Sequence, residues 1–189
     1  MAESPDDDGA VAAVLAGDAD AFASLVAAHR ERTFRAAYLI VQDAAAAEDL
    51  TQESFLRAYR ALHRFRRGEP FGAWVARIAI NLALNETRAR RRRERWLSLL
   101  PGINRASSTV EREVEEAEQR SSIQRALAEL AEKDRLVIYL RYYLEFSEQE
   151  MATALGVPAG TVKSRLHRGT ARLRTLIHER FPELEASHD

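Results

Sequence analysis

Residues 147–177 read SEQEMATALGVPAGTVKSRLHRGTARLRTLI, and this stretch decides the fold. Ser147 followed three residues later by Glu150 is a capping box, in which hydroxyl and carboxylate each satisfy a backbone N–H at a helix start. Met151, Ala152 and Leu155 then lay an apolar stripe on a short helix, and Gly156 supplies the residue that takes a left-handed helix end. The turn is Gly156-Val157-Pro158, with Pro158 suited to the first turn of a second helix because its missing N–H costs nothing there. In that second helix Val162, Leu166, Leu173 and Ile177 recur at helical spacing and face a core. At about 100° per residue, Gly160, Lys163, Ser164, His167, Arg168 and Ala171 fall on the outward side, with Thr161, Arg165 and Arg172 along one edge. This is a helix-turn-helix with a recognition helix: donors for base edges, small residues for close approach and cations for phosphates. A basic face alone would read as an ordinary solvated surface. The turn motif before it tips the reading to DNA.

Working outward, composition limits the alternatives. The 189 residues are 46% hydrophobic and 30% charged, enough for one ordinary domain or two small ones. No apolar run approaches the roughly 18 residues that a membrane helix needs, and the acidic start MAESPDDDGA is unlike a basic signal peptide, so a cytoplasmic protein without membrane insertion is expected. The absence of cysteine removes disulfides, zinc fingers and thiol chemistry. The formal net charge of -1 conceals a segregation of charge along the chain.

Glu3, Asp6, Asp7, Asp8, Asp18 and Asp20 occupy the first twenty positions without a Lys or Arg. Residues 1–16 are therefore expected to be a disordered acidic tail. Residues 17–95 form a first helical domain. Phe22, Leu25, Val26, His29, Ala36, Ala37, Ile40 and Val41 stripe its first helix, with a bend expected near Thr33; His29 reads as a core or boundary residue, since no second ligand stands at metal spacing. In DAAAAEDLTQESFLRAYRALHRF, Asp43 caps a helix that buries Ala47, Leu50, Phe55, Ala58, Tyr59 and Leu62. The same helix shows Glu48, Asp49, Gln52, Glu53, Arg57 and Arg60 outward, acids first and bases last as the helix dipole favours.

The basic loop RFRRGEP follows, then a helix striped by Phe71, Trp74, Val75, Ile78 and Leu82, whose polar face carries Arg77, Asn81, Asn85 and Arg88. Arg88, Arg90, Arg91, Arg92, Arg93 and Arg95 put six arginines in eight positions. Such a run repels itself, and a phosphate backbone is its natural counterpart. The asparagines add amides suited to base edges, and Phe65 is placed to stack on an unpaired base. Trp74 lies in register with the apolar stripe and reads as core. Residues 96–120 form a flexible acidic linker. Residues 121–178 form a second domain, in which Ile123, Leu127, Leu130, Leu136, Val137, Leu140 and Tyr143 make two short helices before the helix-turn-helix; residues 179–189 are a tail. The fold expected is all-α, two small helical domains joined by a flexible linker.

Over about residues 17–178 the chain resembles the extracytoplasmic-function sigma factors of bacterial RNA polymerase. AAEDLTQESFLRAYRAL and FGAWVARIAINLALNETRARRR look like the family's polymerase-binding and -10-reading segments, and EQEMATALGVPAGTVKSRLHR resembles its -35 signature. The resemblance implies that Asp49, Gln52 and Glu53 dock on the clamp helices of the polymerase largest subunit, with the flap region as a further contact. It implies that Phe65, Arg66, Arg67 and Gly68 form the loop that captures a flipped-out -10 base, with Asn81 and Asn85 on the helix behind. It places Lys163, Ser164, His167 and Arg168 on the -35 element, and it implies an anti-sigma factor as partner. Glu145 stands where the family commonly has Gly, Phe146 where Leu is common, and Gly169 where Ala is frequent.

No catalysis, cofactor or metal is expected: the five histidines are dispersed, and there is neither a Gly-rich phosphate loop nor a nucleophile facing paired carboxylates. Two other readings stay open. A conventional repressor independent of polymerase would bind duplex DNA tightly by itself. A pure interaction module would tolerate neutralisation of Arg88 to Arg95.

Overall fold

The computed structural model describes residues 6–98 and 122–184. Among the described residues there are eight α-helices and no strand: α1 (Asp7–Leu15), α2 (Ala21–Val41), α3 (Ala44–Ala61), α4 (Phe71–Ser98), α5 (Ser122–Ala128), α6 (Glu132–Ile138), α7 (Glu148–Leu155) and α8 (Ala159–Arg180). Residues 96–98, expected to begin the linker, are instead the end of α4, which carries the arginine run as unbroken helix; the rest of the expected linker lies outside the described residues.

The first domain is α1 to α4. Val11, Leu25, Phe55, Ala58, Leu62, Phe65, Phe71 and Val75 form one apolar core, and Ala37, Val41, Ala47 and Ala83 a smaller one beside it. α2 runs through Thr33 without interruption; the Thr33 hydroxyl donates to the His29 carbonyl at 2.8 Å, so the polar group is satisfied inside the helix. The expected disordered tail is corrected here. Residues 7–15 are helical, with the Asp6 side chain accepting from Gly9 N–H at 2.9 Å as N-cap and Val11 fully buried. Acidic composition suggested a solvated chain, but one valine in a tertiary core anchors the segment.

The second domain is α5 to α8. After α6 the chain passes through a π turn, Tyr139–Tyr143, and enters the helix-turn-helix at Ser147. Its end is more ordered than the expected tail from 179: α8 continues to Arg180, and buried Phe181 lies under the Arg125 guanidinium at 5.7 Å.

Two residues that depart from the resembled pattern have local structural consequences. Gly169 is buried where α8 crosses α6, and a Cβ there would stand 3.2 Å from the Asp134 carbonyl oxygen. A glycine here permits close approach of two helices. Glu145 has φ +54, the left-handed region that favours glycine. Holding a non-glycine there costs about 1–2 kcal/mol, so Glu145→Gly is expected to stabilise the fold by about 1 kcal/mol after the added flexibility of the unfolded chain is offset. A urea melt would measure it; a destabilised variant would mean that the Glu145 side chain itself contributes.

The two domains pack on one another. A single apolar cluster takes Ala36, Ala73, Ala76 and Ile80 from the first domain together with Leu136, Val137, Leu140, Leu144, Phe146, Met151, Ala154 and Val162 from the second. Arg32 on α2 fastens this seam. It donates to Glu150 at 3.2 Å and to the Leu144 carbonyl at 2.9 Å, and its guanidinium lies 4.3 Å from the centre of the Phe146 ring.

Candidate nucleic-acid interface

The helix-turn-helix is built as its residues dictate. The Ser147 hydroxyl accepts from Glu150 N–H at 3.2 Å while the Glu150 carboxylate accepts from Ser147 N–H at 2.8 Å. Gly156 closes α7 at φ 63, in the left-handed conformation. Pro158 sits at the N-cap of α8 rather than inside its first turn, and its carbonyl accepts from Thr161 N–H at 2.9 Å. Val162 is buried and fixes the rotation of α8, which leaves Lys163, Ser164, His167, Arg168 and Arg172 exposed and Thr161 and Arg165 half-buried along the edge. A Cβ added at Gly160 would meet nothing within 4 Å, so the start of α8 offers open space for close approach. The Ser164 hydroxyl donates back to the Thr161 carbonyl at 3.0 Å, leaving its lone pairs outward as an acceptor.

The second basic surface lies on the first domain. Arg77, Asn81, Asn85 and Arg88 are all exposed and follow one another up a single face of α4, continued by the exposed Arg90 to Arg95. Below them the loop after α3 shows Arg66, Arg67 and Gly68 to solvent. Phe65 does not match its expected role. It is 8% exposed, edge-on to Phe71 at 5.5 Å and tilted against Trp74 at 5.2 Å, so it anchors the loop instead of stacking on a base. A single aromatic beside arginines reads equally as platform or anchor in sequence; only its neighbours decide.

Two residues of this surface are engaged by the second domain. Arg88 pairs with Glu132 at 3.1 Å, and the Arg77 guanidinium lies so close to the Gly156 turn that a Cβ there would stand 2.6 Å from it. The seam thus brings the α4 face and the helix-turn-helix together.

A third surface is acidic. On α3, capped by Asp43 accepting from Ala46 N–H at 2.9 Å, Asp49 and Gln52 are exposed and half-buried Glu53 takes a 2.6 Å bond from Arg57. Arg30 donates to Glu48 at 2.6 Å; that hydrogen bond, then the one from Gln52, holds the Glu48 carboxyl below its usual range. Sequence reasoning missed Leu56, and it assigned Tyr59 to the core; they are 52% and 46% exposed on the outer side of α3. Their signal was the spacing 49, 52, 56, 59, a continuous outward strip that mixes acids with apolar groups. Also missed is an apolar groove of about 460 Å³ on the second domain, floored by Ile123, Leu127, Ile138, Leu173 and Ile177. Tyr143 is 46% exposed at its edge. Among the described residues no group of three or more His, Asp or Glu could hold a metal ion, and no helix is long and apolar enough to cross a membrane.

Both domains match known protein families. The family described as Sigma-70 region 2 matches residues 25–93, and Sigma-70, region 4 matches residues 120–173. The chain is 33% identical over 176 residues to the ECF RNA polymerase sigma factor SigW of Bacillus subtilis, covering 88% of this chain and 94% of that protein. It is 36% identical over 176 residues to the ECF RNA polymerase sigma factor SigL of Mycobacterium tuberculosis, covering 89% and 96%. Among solved structures it is similar to CnrH in complex with the cytosolic domain of CnrY, with TM-score 0.65 and 26% identity over 92% of this chain and 98% of that one.

Proposed function

The chain belongs to the extracytoplasmic-function sigma factors, and from that premise we propose how its surfaces divide the work of starting transcription. It binds core RNA polymerase and directs it to promoters under the control of an anti-sigma factor. The α3 strip of Asp49, Gln52 and Glu53 docks on the clamp helices of the largest subunit. The apolar groove of the second domain takes a helix of the flap region. α8 enters the major groove of the -35 element, with Lys163, Ser164, His167 and Arg168 toward base edges and Thr161, Arg165 and Arg172 along the flanking phosphates. Arg66, Arg67 and Gly68 with Arg77, Asn81, Asn85 and Arg88 hold the opened -10 strand, and the following arginines neutralise its backbone.

The family is not known for catalysis. The protein does no bond chemistry of its own, and it works in the cytoplasm beside the polymerase. The observation that carries this reading is the presence, in one chain, of an acidic docking strip on α3 followed by two separate basic surfaces, one on the loop and α4 and one on α8. A repressor needs only one of the three.

The seam supports a conformational route to that regulation. Elements some 25 base pairs apart are separated by ~85 Å at 3.4 Å per pair, whereas here Arg77 touches the Gly156 turn. The packed state cannot span a promoter, so promoter binding entails parting the domains, and an anti-sigma factor inhibits by disfavouring the parted state.

Run-off transcription with bacterial core polymerase on a pool of promoter fragments tests the proposal. Transcripts that appear only with this protein, and that start downstream of a shared two-block motif, are expected. Tight duplex binding by the protein alone, with no protein-dependent initiation from any fragment, would overturn it in favour of the repressor.

A further inference from the structure

Three consecutive aspartates near the start of the chain each make a different bond. Asp6 caps α1 by accepting from Gly9 N–H. Asp7 pairs with His29 Nε2 on α2 at 2.9 Å, and that imidazole is 8% exposed. Asp8 reaches sixty residues along the chain and accepts from Gly68 N–H at 3.3 Å.

The loop that Asp8 touches has a defined geometry. Arg66 C=O accepts from Glu69 N–H at 3.1 Å, closing a turn whose third residue is Gly68 at φ +82. The N–H of Gly68 takes no part in the closing bond, which uses Glu69 N–H, and so is free to donate to the Asp8 carboxylate. One side of the loop is fixed by the Phe65 ring in the core. The other side is fixed by α1, itself held by buried Val11 and the Asp7–His29 bond. Between these anchors Arg66 and Arg67 stand exposed.

We infer that Asp8 is a positioning residue for the loop that takes the unpaired -10 base: its carboxylate oxygen, carried on α1, holds the Gly68 amide and so presets the turn. Residues 6–15 are then a working part of the strand-opening surface and not a solubilising terminus. The inference rests on the sigma-factor reading of the loop. It adds the element that stiffens it, and the chemistry required is a hydrogen-bond acceptor, not a negative charge.

The test compares Asp8→Ala and Asp8→Asn, since Asn keeps an acceptor oxygen without the charge. With full-length protein and core polymerase, opening is read by fluorescence of 2-aminopurine placed at the flipped -10 position, and polymerase binding is measured separately by anisotropy. Losing one hydrogen bond should slow opening about fivefold in Asp8→Ala, with polymerase affinity unchanged and Asp8→Asn close to wild type. Asp8→Ala opening at the wild-type rate would overturn the inference, and so would Asp8→Asn as slow as Asp8→Ala, because the charge would then be what matters. If the wild-type protein opened no promoter, the sigma-factor reading itself would fail, a result distinct from either.

Discussion

Asp49→Arg combined with Glu53→Arg is expected to abolish polymerase-dependent transcription while leaving a folded protein. Both residues lie on the outer side of α3, whose inner side buries Ala47, Phe55 and Ala58. Breaking the Glu53–Arg57 pair removes an exposed i,i+4 interaction worth ~0.3–0.5 kcal/mol. Other exposed changes on a well-capped helix stay within about 0.5 kcal/mol. At the docking surface the result is different in scale. Two attractive pairs become two repulsive ones, and like charges opposed across an interface cost several kcal/mol, or ~10²- to 10³-fold in affinity. Anisotropy of labelled protein titrated with core polymerase reads this directly, with far-UV circular dichroism as the check on folding. Binding within twofold of wild type would remove α3 from the polymerase interface. Leu56 and Tyr59 would then be exposed apolar groups without a role.

Phe146→Ala is expected to give the largest loss of stability. The ring is 1% exposed and packs in the cluster shared by the two domains, with the Arg32 guanidinium over its face. Truncating a buried Phe costs ~3–5 kcal/mol through lost burial and residual cavity, and the cation–π contact adds ~0.5–1. For a chain of this size each kcal/mol lowers Tm by ~2–4 °C, so a drop of about 10 °C is expected in a calorimetric scan. Phe146→Leu keeps an apolar side chain but loses the ring beneath Arg32, and should cost less than Phe146→Ala. A loss below ~1 kcal/mol in Phe146→Ala would mean that the seam collapses readily onto smaller groups.

What was legible in the sequence follows from where the determinants lie. The helix-turn-helix depends on bonds between residues three or four apart, Ser147 with Glu150 and Gly156 with the turn before it, and local pattern is enough to place it. The outward faces of α4 and α8 follow from helical period. α1 was illegible because its anchors are distant: Val11 joins the cluster that holds Leu25, Phe55 and Phe71, and Asp7 meets His29. The seam was hidden for another reason. Its first-domain side is largely alanine, Ala36, Ala73 and Ala76, which helical sequences carry on buried and open faces alike. Phe65 and Tyr59 changed places, one from candidate contact to anchor and the other from core to surface, since an aromatic at a boundary position has no periodic signature of its own.

The pairing of Arg88 with Glu132 and the lodging of Arg77 under the Gly156 turn have an arithmetical consequence. Both arginines also belong to the proposed -10 surface, so occupancy of that surface by DNA and by the second domain is mutually exclusive. Apparent affinity for promoter then equals intrinsic affinity multiplied by the fraction of chains in the parted state. Every 1.4 kcal/mol by which the seam favours the packed state lowers that fraction tenfold. Side chains at a domain boundary thus scale promoter affinity before any inhibitor is bound, and an inhibitor that adds a modest preference for the packed state multiplies that effect.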